Sequence, residues 1–474
     1  MISKKYTSLD SIHSDISQGK TSCVELAKYY LKKNEENKHL NAFLEVFADE
    51  ALEQASIVDE KIKNGTAGRL AGMFLAIKDN ICYKGHTASG SSKILENYEA
   101  VYTATALQRL LDEDVIVIGR CNCDEFAMGA SNENSAFGPV KNAADETKVP
   151  GGSSGGSAVA VQADLCLAAL GSDTGGSIRQ PASFTGTFGM KPTYGRVSRS
   201  GLFAYASSFD QIGPITGSVE DAALLTQIMS GEDEFDATLA SEGKFEFKKK
   251  EQKNLKIAYL KDCLEHDALD NEIKESTNNL IDNLKSNGHT VEGVEFPFLD
   301  YMVPCYYVLT TAEASSNLSR YSGLMYGYRS ENAVDLDTTF KKSRSEGFGE
   351  EVQRRIMLGT FVLSSDHYDA YYTKAQKVRQ IIKIKTDEIF DKYDLIILPT
   401  TSTPAFKIGE KSQDPIAMYL ADLFTVQANL AGNPAISVPV GHHRKDDMPF
   451  GIQVIGKRFD ENTLFNFALE LEKG

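Results

Sequence analysis

The chain has 474 residues, 42% hydrophobic and 24% charged, which is the composition of a folded globular protein rather than a disordered one. Its formal net charge of −16 argues against a broad nucleic-acid-binding face on this chain, because phosphate binding requires clustered Lys and Arg. The first residues lack the apolar core of a signal peptide, and no run approaches the roughly 20 apolar residues of a membrane span. We therefore expect a cytoplasmic protein with no membrane segment.

Seven cysteines are scattered along the chain without a Cys-x-x-Cys pair. A chain of this size needs no disulfide cross-links, so reduced thiols are the expected state. Cys121 and Cys123 form the one close pair, and no further ligands stand at matched spacing. We expect no metal site.

The first part of the chain alternates between helical and strand-like patterns. Residues 1–63 are predicted to be mainly helical, because apolar residues recur there at helical spacing. Residues 73–77 form a short apolar run that ends in Lys78-Asp79-Asn80, as expected of a buried strand with polar residues at its tip. Residues 105–114 fit a helix, and the β-branched run 115–119 fits a strand.

The second part continues the alternation. Residues 190–197 and 209–214 are rich in Gly and Pro and are interpreted as turns, and the charged segment 232–254 as an exposed linker or surface insertion. Residues 304–390 are predicted to be largely helical. Further strands are predicted at residues 257–260, 395–399, 435–440 and 451–455. Strands that alternate with helices favour a layered α/β fold with a mainly parallel or mixed sheet.

The most informative stretch is residues 150–179, which contains two Gly-Ser clusters, at 151–157 and 175–177. Glycine at this density is tolerated mainly where the backbone takes unusual angles or approaches a ligand closely. The second cluster follows the predicted strand 166–170, and a turn after a strand presents successive backbone N–H groups. A serine there, Ser177, could attack a carbonyl carbon while the amides of residues 174–177 hold the oxyanion.

Two other interpretations of these clusters are less favoured. A phosphate-binding loop would be followed by Lys-Ser or Lys-Thr at P-loop spacing, and neither cluster is. The pattern Gly-x-Ser-x-Gly occurs at residues 151–155, but the polar stretch before it is no strand, as that motif requires. All eight histidines lie outside both clusters, which disfavours a Ser/His/Asp triad.

A nucleophilic serine needs a base, and a neutral lysine can serve. The pKa of lysine, about 10.4, would have to fall by about 3 units, a difference near 4 kcal/mol that burial can supply. Lys78, at the end of an apolar strand, is the best candidate for this base. From the residues alone, a structural ion pair between Lys78 and Asp79 or another carboxylate is almost as good an interpretation.

Three segments together resemble the signature blocks of the amidase signature family. They are Lys78-Asp79-Asn80, the first Gly-Ser cluster, and residues 171–179, which read GSDTGGSIR. The separation of 24 positions between Ser153 and Ser177 also matches that family. The resemblance implies an amidase-signature fold, a central mixed sheet with helices on both faces. It implies a single amidase domain over residues 1–474, with an N-terminal helical region at 1–63, a signature core at 64–230 and a helical substrate-side region at 300–390.

The resemblance also implies roles for individual residues. Ser177 would be the nucleophile, Ser153 a bridging serine that follows a cis peptide bond, and Lys78 the ultimate base. The oxyanion would be held by the loop residues Thr174, Gly175 and Gly176.

Other segments resemble the branch of this family whose members supply ammonia within tRNA-dependent amidotransferases. They are residues 124–129, 189–198, 208–214, 313–318, 343–349 and 368–372. This resemblance implies glutamine hydrolysis and transfer of ammonia, through a tunnel, to a large partner subunit that binds charged tRNA and uses ATP and Mg²⁺. A small third subunit is also implied, and this chain itself would need no cofactor. The acceptor would be Glu-tRNA(Gln), with Asp-tRNA(Asn) as a further one.

The same resemblance places the glutamine contacts on Arg355, Asp422 and Tyr306. An arginine fork suits a carboxylate and an aspartate suits an α-ammonium group. The adjacent Arg354 and Tyr307 are rivals for two of these roles. A free-standing amidase and a catalytically silent scaffold are the competing interpretations. The complete candidate triad disfavours the scaffold, and the glutamine contacts disfavour the free-standing amidase.

Overall fold

The computed structural model describes residues 5–411 and 418–473. Within them, one sheet of 11 strands forms the centre of the molecule. The strands are β1 (Phe43–Val46), β2 (Phe74–Lys78), β3 (Ile116–Cys121), β4 (Ala168–Asp173), β5 (Phe188–Lys191), β6 (Gln211–Thr216), β7 (Lys256–Leu260), β8 (Thr290–Val294), β9 (Leu395–Pro399), β10 (Ala435–His442) and β11 (Pro449–Gly456).

The strand order across the sheet is β1-β3-β2-β4-β6-β5-β10-β11-β9-β7-β8. β2 pairs in parallel with β3 and β4, and β7 pairs in parallel with β8 and β9, whereas the other pairs are antiparallel. All five residues of β2 are buried. Successive side chains of a strand point to opposite faces, so both faces of the sheet are covered there. The predicted α/β class with a central mixed sheet is confirmed.

The helices pack around this sheet. They are α1 (Leu9–Ser17), α2 (Cys23–Glu36), α3 (Ala48–Asn64), α4 (Thr105–Leu111), α5 (Gly155–Gln162), α6 (Arg179–Thr185), α7 (Val219–Met229), α8 (Lys261–Leu264), α9 (Asn271–Ser286), α10 (Leu299–Asn317), α11 (Leu336–Gly347), α12 (Glu350–Val362), α13 (Lys374–Phe390), α14 (Val426–Ala431) and α15 (Glu461–Lys473). α5 and α6 carry the two Gly-Ser clusters at their N-terminal ends. No helix among the described residues is long and apolar enough to cross a membrane.

Three details differ from the sequence-based expectations. The N-terminal helical region contains an edge strand, β1, which pairs antiparallel with β3. The prediction of turns at 190–197 and 209–214 was wrong in part, because these segments contribute to β5 and β6. The Gly and Pro residues of these segments conceal the strand pattern. Gly213 is required by close packing, since a Cβ there would lie 2.0 Å from the carbonyl oxygen of Met190.

The charged segment 232–254 contains no helix or strand, and it does not lie wholly exposed. Phe245 is buried and its ring stacks on that of Phe465 in α15, with centroids 5.9 Å apart. The backbone N–H of Lys248 donates to Asn462 of the same helix (2.8 Å). The segment therefore runs along the surface of α15, held by side-chain hydrogen bonds and by the contacts of Phe245 and Phe247 with Phe465.

Candidate active site

Lys78 is the last residue of β2 and is fully buried. Its Nζ lies 2.7 Å from Oγ of Ser153, 3.0 Å from Oγ of Ser154 and 2.9 Å from Oγ of Ser172. Burial lowers the pKa of the Lys78 ammonium to about 8, an effect that nearby acids including Asp124 oppose only in part. An amine with this pKa is partly neutral near pH 7 and can accept a proton.

Asp79 does not pair with Lys78, which removes the main alternative interpretation of that lysine. Its carboxylate accepts a hydrogen bond from Arg120 (2.7 Å) and two from the backbone N–H groups of Ser89 (3.2 Å) and Ser91 (2.7 Å). Within the described part of the chain, Lys78 forms no ion pair, and its hydrogen-bond partners are all hydroxyl or carbonyl oxygens. The hydrogen-bonding environment of Lys78 therefore suits an uncharged amine.

Ser153 follows a cis peptide bond, Gly152–Ser153, as the family resemblance implied. The backbone is packed tightly here, since a Cβ on Gly152 would lie 2.1 Å from Oδ2 of Asp124. The Asp124 carboxylate is held in turn by the backbone N–H groups of Asn132 (2.9 Å) and Asn134 (3.1 Å). This packing fixes the Ser153 hydroxyl against Lys78.

Ser177 lies in the loop between β4 and α6. It is 7% exposed, whereas Lys78 and Ser153 are 0% exposed, so Ser177 is the member of the candidate triad that solvent reaches. Its carbonyl oxygen accepts from the N–H of Ser154 (3.2 Å), which ties the two Gly-Ser clusters together. Among the described residues no hydrogen bond joins the Ser153 and Ser177 hydroxyls. Catalytic hydrogen bonds are often long in unliganded enzymes and tighten when substrate binds.

In the predicted oxyanion loop, one backbone amide has a hydrogen-bond acceptor and two have none among the described residues. The N–H of Gly176 donates to Oδ1 of Asp173 (2.9 Å) and is therefore engaged. The amides of Thr174 and Gly175 have no hydrogen-bond partner among the described residues. The Thr174 side chain donates to Oδ1 of Asp210 (2.7 Å). Two of the three predicted residues thus keep a backbone donor available.

A buried ion pair anchors this loop. Asp173 and Arg179 are both fully buried, with 3.0 Å between Oδ1 and Nη2. Burial alone would raise the pKa of the Asp173 carboxyl, but the charge of Arg179 outweighs it and the pKa falls to about 2. Arg179 also donates to the carbonyl of Thr425 (2.8 Å) and to Oδ1 of Asn429 (2.6 Å). The loop is therefore tied to α14 on the other side of the site.

The three predicted substrate contacts converge beside the loop. The Tyr306 ring packs on Gly175, where a Cβ would lie only 2.5 Å from the ring carbon Cζ. The carbonyl oxygen of Asp422 accepts the hydroxyl of Thr425 (3.1 Å), and that hydroxyl lies 2.5 Å from the carbonyl oxygen of Gly175. Burial raises the pKa of the Asp422 carboxyl to about 7, and Arg355 opposes that rise.

Arg355 is distinguished from its neighbour Arg354 by its surroundings. The Arg355 side chain is 3% exposed, and the Arg354 side chain is 37% exposed and paired with Glu350 at 2.9 Å. Arg355 donates to Oε1 of Glu351 (2.8 Å) and to the hydroxyl of Tyr205 (2.9 Å). A cavity of about 220 Å³ opens beside it.

Tyr307, the rival of Tyr306, also belongs to the cluster. Its hydroxyl donates to Oδ2 of Asp422 (3.1 Å), its ring stacks on Tyr419 at 3.9 Å between centroids, and the Arg355 guanidinium lies 5.2 Å from its centre. The structure therefore brings both tyrosines together with Arg355 and Asp422. Tyr306 faces the loop, and Tyr307 holds Asp422.

Sequence reasoning missed several members of the site, namely Ser154, Ser172, Tyr205, Asp210, Glu351, Tyr419 and Thr425. Glu351 carried a usable signal, since it stands four residues before Arg355 on one helix. Ser154 and Ser172 lie within residues 150–179, but no local pattern indicated that they contact Lys78. The remaining four come from other segments and carry no local pattern. Among residues 5–411 and 418–473, no three His, Cys, Asp or Glu side chains are grouped so that they could hold a metal ion.

The sequence matches the Amidase family over residues 25–465. The chain belongs to the amidase family. It is 48% identical, over 98% of each chain, to the A subunit of the glutamyl-tRNA(Gln) amidotransferase of Chlorobium phaeobacteroides. It is 51% identical to the protein of that name from Bacillus velezensis, over 92% of this chain and 90% of the relative.

A solved structure supports the same comparison. The A subunit of the glutamyl-tRNA(Gln) amidotransferase of Thermotoga maritima matches with a TM-score of 0.79 and 42% identity, over 96% of this chain and 93% of that one. A further solved amidase matches with a TM-score of 0.84 at 28% identity, over 98% and 99% of the two chains. The fold is thus shared both with amidotransferase subunits and with amidases that bear no such name.

Proposed function

We propose that this chain is the glutamine-hydrolysing subunit of a tRNA-dependent amidotransferase, which supplies the ammonia that converts Glu-tRNA(Gln) to Gln-tRNA(Gln). The observation that carries this is the buried Lys78 amine, 2.7 Å from Ser153 and beside the loop of Ser177. It occurs in a chain 48% identical, end to end, to a relative named as that subunit. The residue roles that follow are part of this proposal.

The first half of the reaction forms a tetrahedral intermediate, which precedes the ester on Ser177. The neutral Lys78 amine accepts the Ser153 proton while Ser153 accepts the proton of Ser177. The Ser177 oxygen then attacks the side-chain amide carbon of glutamine, and the carbonyl electron pair moves to oxygen. The free N–H groups of Thr174 and Gly175 donate to that oxyanion, where such a donor is worth about 2.7–4 kcal/mol in serine hydrolases. This route requires that substrate binding close the Ser153–Ser177 hydrogen bond.

The second half releases the two products. The carbonyl re-forms, the C–N bond breaks, and the Lys78 ammonium returns its proton through Ser153 to the leaving nitrogen, which departs as ammonia. Water then attacks the ester carbon with Lys78 again as base. Glutamate leaves, and the Ser177 hydroxyl is restored.

Substrate recognition rests on charge. The buried Arg355 guanidinium binds the α-carboxylate, and Asp422 binds the α-ammonium group, with Tyr306 packed between these groups and the loop. Burial raises the pKa of Asp422 to about 7, and an adjacent ammonium group would favour its charged form. The Arg355 side chain is buried against Tyr307, which holds Asp422, whereas the Arg354 side chain is 37% exposed, and this placement supports Arg355 over Arg354.

The acceptor chemistry belongs to partner subunits. A large subunit would bind charged tRNA and use ATP and Mg²⁺, a small subunit would complete the complex, and ammonia would reach the large subunit through a tunnel. This chain would act as one amidase domain over residues 1–474 and hold no cofactor. Its net charge of −16 supports a tRNA-binding face on another subunit.

A free-standing amidase is the second candidate, because the fold also occurs in proteins named simply as amidases. The cationic Arg355 beside a small cavity favours a substrate with a carboxylate, as glutamine has. The names of the relatives at 48% and 51% identity favour the amidotransferase as well.

The test is Ser177→Ala in the complex of this chain with its co-purifying subunits. We expect glutamine-dependent formation of Gln-tRNA(Gln) to disappear, whereas ammonium chloride should still support amidation at the wild-type rate. Glutamine use at the wild-type rate by the variant would reject Ser177 as nucleophile. A chain that purifies alone and hydrolyses simple amides better than glutamine would favour the second candidate.

A further inference from the structure

A continuous line of buried hydrogen bonds joins Arg355 to the oxyanion loop. Arg355 Nη1 donates to the hydroxyl of Tyr205 (2.9 Å), and the backbone N–H of Tyr205 donates to Oδ2 of Asp210 (2.9 Å). Oδ1 of the same carboxylate accepts the Thr174 hydroxyl (2.7 Å). Tyr205, Asp210 and Thr174 are each at most 2% exposed, so water does not compete for these bonds.

We propose that Tyr205 and Asp210 are positioning residues that hold the Arg355 guanidinium and the loop of Thr174 and Ser177 at a fixed separation. Glutamine carries its carboxylate and its reacting amide at opposite ends of one short chain. A fixed separation between the two groups that receive those ends makes recognition and attack simultaneous. This inference rests on the proposed function, in which Arg355 binds the α-carboxylate.

Tyr205 can orient Arg355 because its single hydroxyl proton is already committed. It donates to Oγ1 of Thr310 (2.9 Å), and Thr310 donates to the carbonyl oxygen of Tyr306 (2.8 Å). The lone pairs of the Tyr205 oxygen are therefore directed to the guanidinium. Glu351 accepts from Nε of Arg355 and Tyr205 accepts one proton of Nη1, and the remaining Nη protons have no hydrogen-bond partner among the described residues, so they can bind a ligand.

Asp210 adds a side-chain link between two segments that the antiparallel pairing of β4 with β6 already brings side by side. Its carboxylate accepts from the N–H groups of Tyr205 and Ala206 (2.9 Å each) and from the Thr174 hydroxyl. The turn that carries Tyr205 and the loop that carries Thr174 are thus fixed to one side chain. A shift of either segment would break a buried hydrogen bond from which water is excluded.

The first test compares Tyr205→Phe with wild type in the complex with its co-purifying subunits. Phenylalanine keeps the ring and removes only the hydroxyl that receives Arg355. Losing a hydrogen bond to a charged group is worth roughly a ten-fold change or more in binding, so KM for glutamine should rise about ten-fold with kcat changed less than KM. Butyramide has the glutamine side-chain amide without the α-groups. The ratio of kcat/KM for glutamine to that for butyramide should also fall about ten-fold.

Tyr30→Phe is the matched control. Tyr30 is fully buried, and its hydroxyl has no hydrogen-bond partner among the described residues. The same substitution there removes a buried hydroxyl far from Arg355 in sequence, on α2, and KM for glutamine should stay at the wild-type value.

The second test addresses Asp210. Asp210→Ala should lower kcat on both substrates, because the loop of Thr174 loses its anchor. Asp210→Asn should restore most of it, since the amide oxygen can accept the two backbone N–H groups and the amide nitrogen can donate to the Thr174 hydroxyl. If Asp210→Ala does not fold, Thr174→Val breaks the same link from the loop side and should lower kcat on both substrates.

The outcomes separate this inference from the proposed function. An unchanged KM for glutamine in Tyr205→Phe, or an equal loss on glutamine and butyramide, would overturn the positioning role. If Arg355→Ala raised KM for glutamine while Tyr205→Phe did not, the proposed function would stand, but the positioning role of Tyr205 and Asp210 would be rejected. If Arg355→Ala also left KM unchanged, the carboxylate assignment itself would be wrong.

Discussion

Lys78 stands at the end of a strand whose five residues are all buried, and hydroxyl groups rather than carboxylates face its Nζ. Burial disfavours the charged form of an amine, and with no anion in contact the pKa of Lys78 falls to about 8. The chemistry at this residue is thus produced by what surrounds the side chain. Arg179 is equally buried, but it forms an ion pair with Asp173 and therefore stays charged.

The rate of glutamine hydrolysis should therefore rise with pH. In the proposed mechanism the neutral amine of Lys78 is the base, and this form predominates above a pKa of about 8, so kcat/KM should increase from pH 6.5 and level off above about pH 9. The Asp422 carboxyl has a pKa of about 7, so its ionisation adds a second pH-dependent rise in kcat/KM for glutamine, whose ammonium group it binds in the proposed mechanism. The profile should therefore be repeated with butyramide, which has no ammonium group. A flat profile with both substrates would contradict Lys78 as the base.

Lys78→Ala should lose activity by orders of magnitude and keep its circular dichroism spectrum.

Arg355 and Arg354 offer a matched pair for the substrate carboxylate. Arg355→Ala should raise KM for glutamine by roughly 10-fold to 100-fold, because a charge-assisted contact to the ligand is lost, and should change kcat less. The Arg354 side chain is 37% exposed and already pairs with Glu350 and Glu351, so Arg354→Ala should leave KM within about two-fold of wild type. Steady-state ammonia release measures both. The reverse result would exchange the roles of the two arginines.

At the scale of elements, neighbouring segments restrain the loop between β4 and α6 tightly. Gly176 has φ of +141°, a region that favours glycine, and a Cβ there would lie 2.2 Å from Oγ1 of Thr425. Thr425 itself hydrogen-bonds the carbonyl oxygen of Gly175. Backbone angle and packing therefore both require glycine at position 176.

Gly176→Ala should lower kcat for glutamine by at least about 100-fold, because a displaced loop loses an oxyanion donor worth about 2.7–4 kcal/mol. Gly65→Ala is the control. Gly65 also has positive φ (+70°), but no atom lies within 4 Å of the Cβ position. That variant should lose about 1–2 kcal/mol of unfolding free energy through backbone strain and keep its activity. Activity in Gly176→Ala within ten-fold of wild type would show that the loop tolerates the shift.

Elements were predictable where the chain is locally regular. The buried strand before Lys78, the strand at β9 and the helix at α9 have uninterrupted apolar or amphipathic patterns, and the structure contains them. The end of β5 and most of β6 were interpreted as turns, because Pro192 and Gly195 after β5 and Gly213 and Pro214 in β6 mask the strand pattern. Glycine at position 213 makes sense only once β5 and β6 lie side by side, which no local pattern reveals.

Across the whole molecule, Arg179 connects parts of the chain that are far apart in sequence. Its guanidinium contacts Asp173 at the end of β4, Thr425 and Asn429 at α14, and Gln453 in β11. The strands β4 and β11 belong to different halves of the sheet. The same side chain thus supports the nucleophile loop and the packing of α14 against it.

Arg179→Ala should destabilise the fold by about 3–5 kcal/mol, because it leaves the buried Asp173 carboxylate without its partner charge. Urea denaturation followed by circular dichroism measures this. Arg69→Ala is the control, since the Arg69 side chain is 48% exposed and its pair with Glu113 should contribute at most about 1 kcal/mol. Equal destabilisation in the two variants would mean that the Arg179 network adds nothing beyond a surface ion pair.

The sequence by itself determined the α/β class and the position of the candidate nucleophile loop, and it made Lys78 a candidate base, because these depend on short stretches of adjacent residues. Only the tertiary structure decided that Asp79 pairs with Arg120 rather than with Lys78, that Arg355 is buried and Arg354 is not, and that the Gly176 amide is already engaged. Each of these depends on atoms brought together from segments far apart in sequence, and burial and hydrogen bonding are properties of that assembly. The link from Arg355 through Tyr205 and Asp210 to Thr174 exists for the same reason, and no local pattern in the chain could have indicated it.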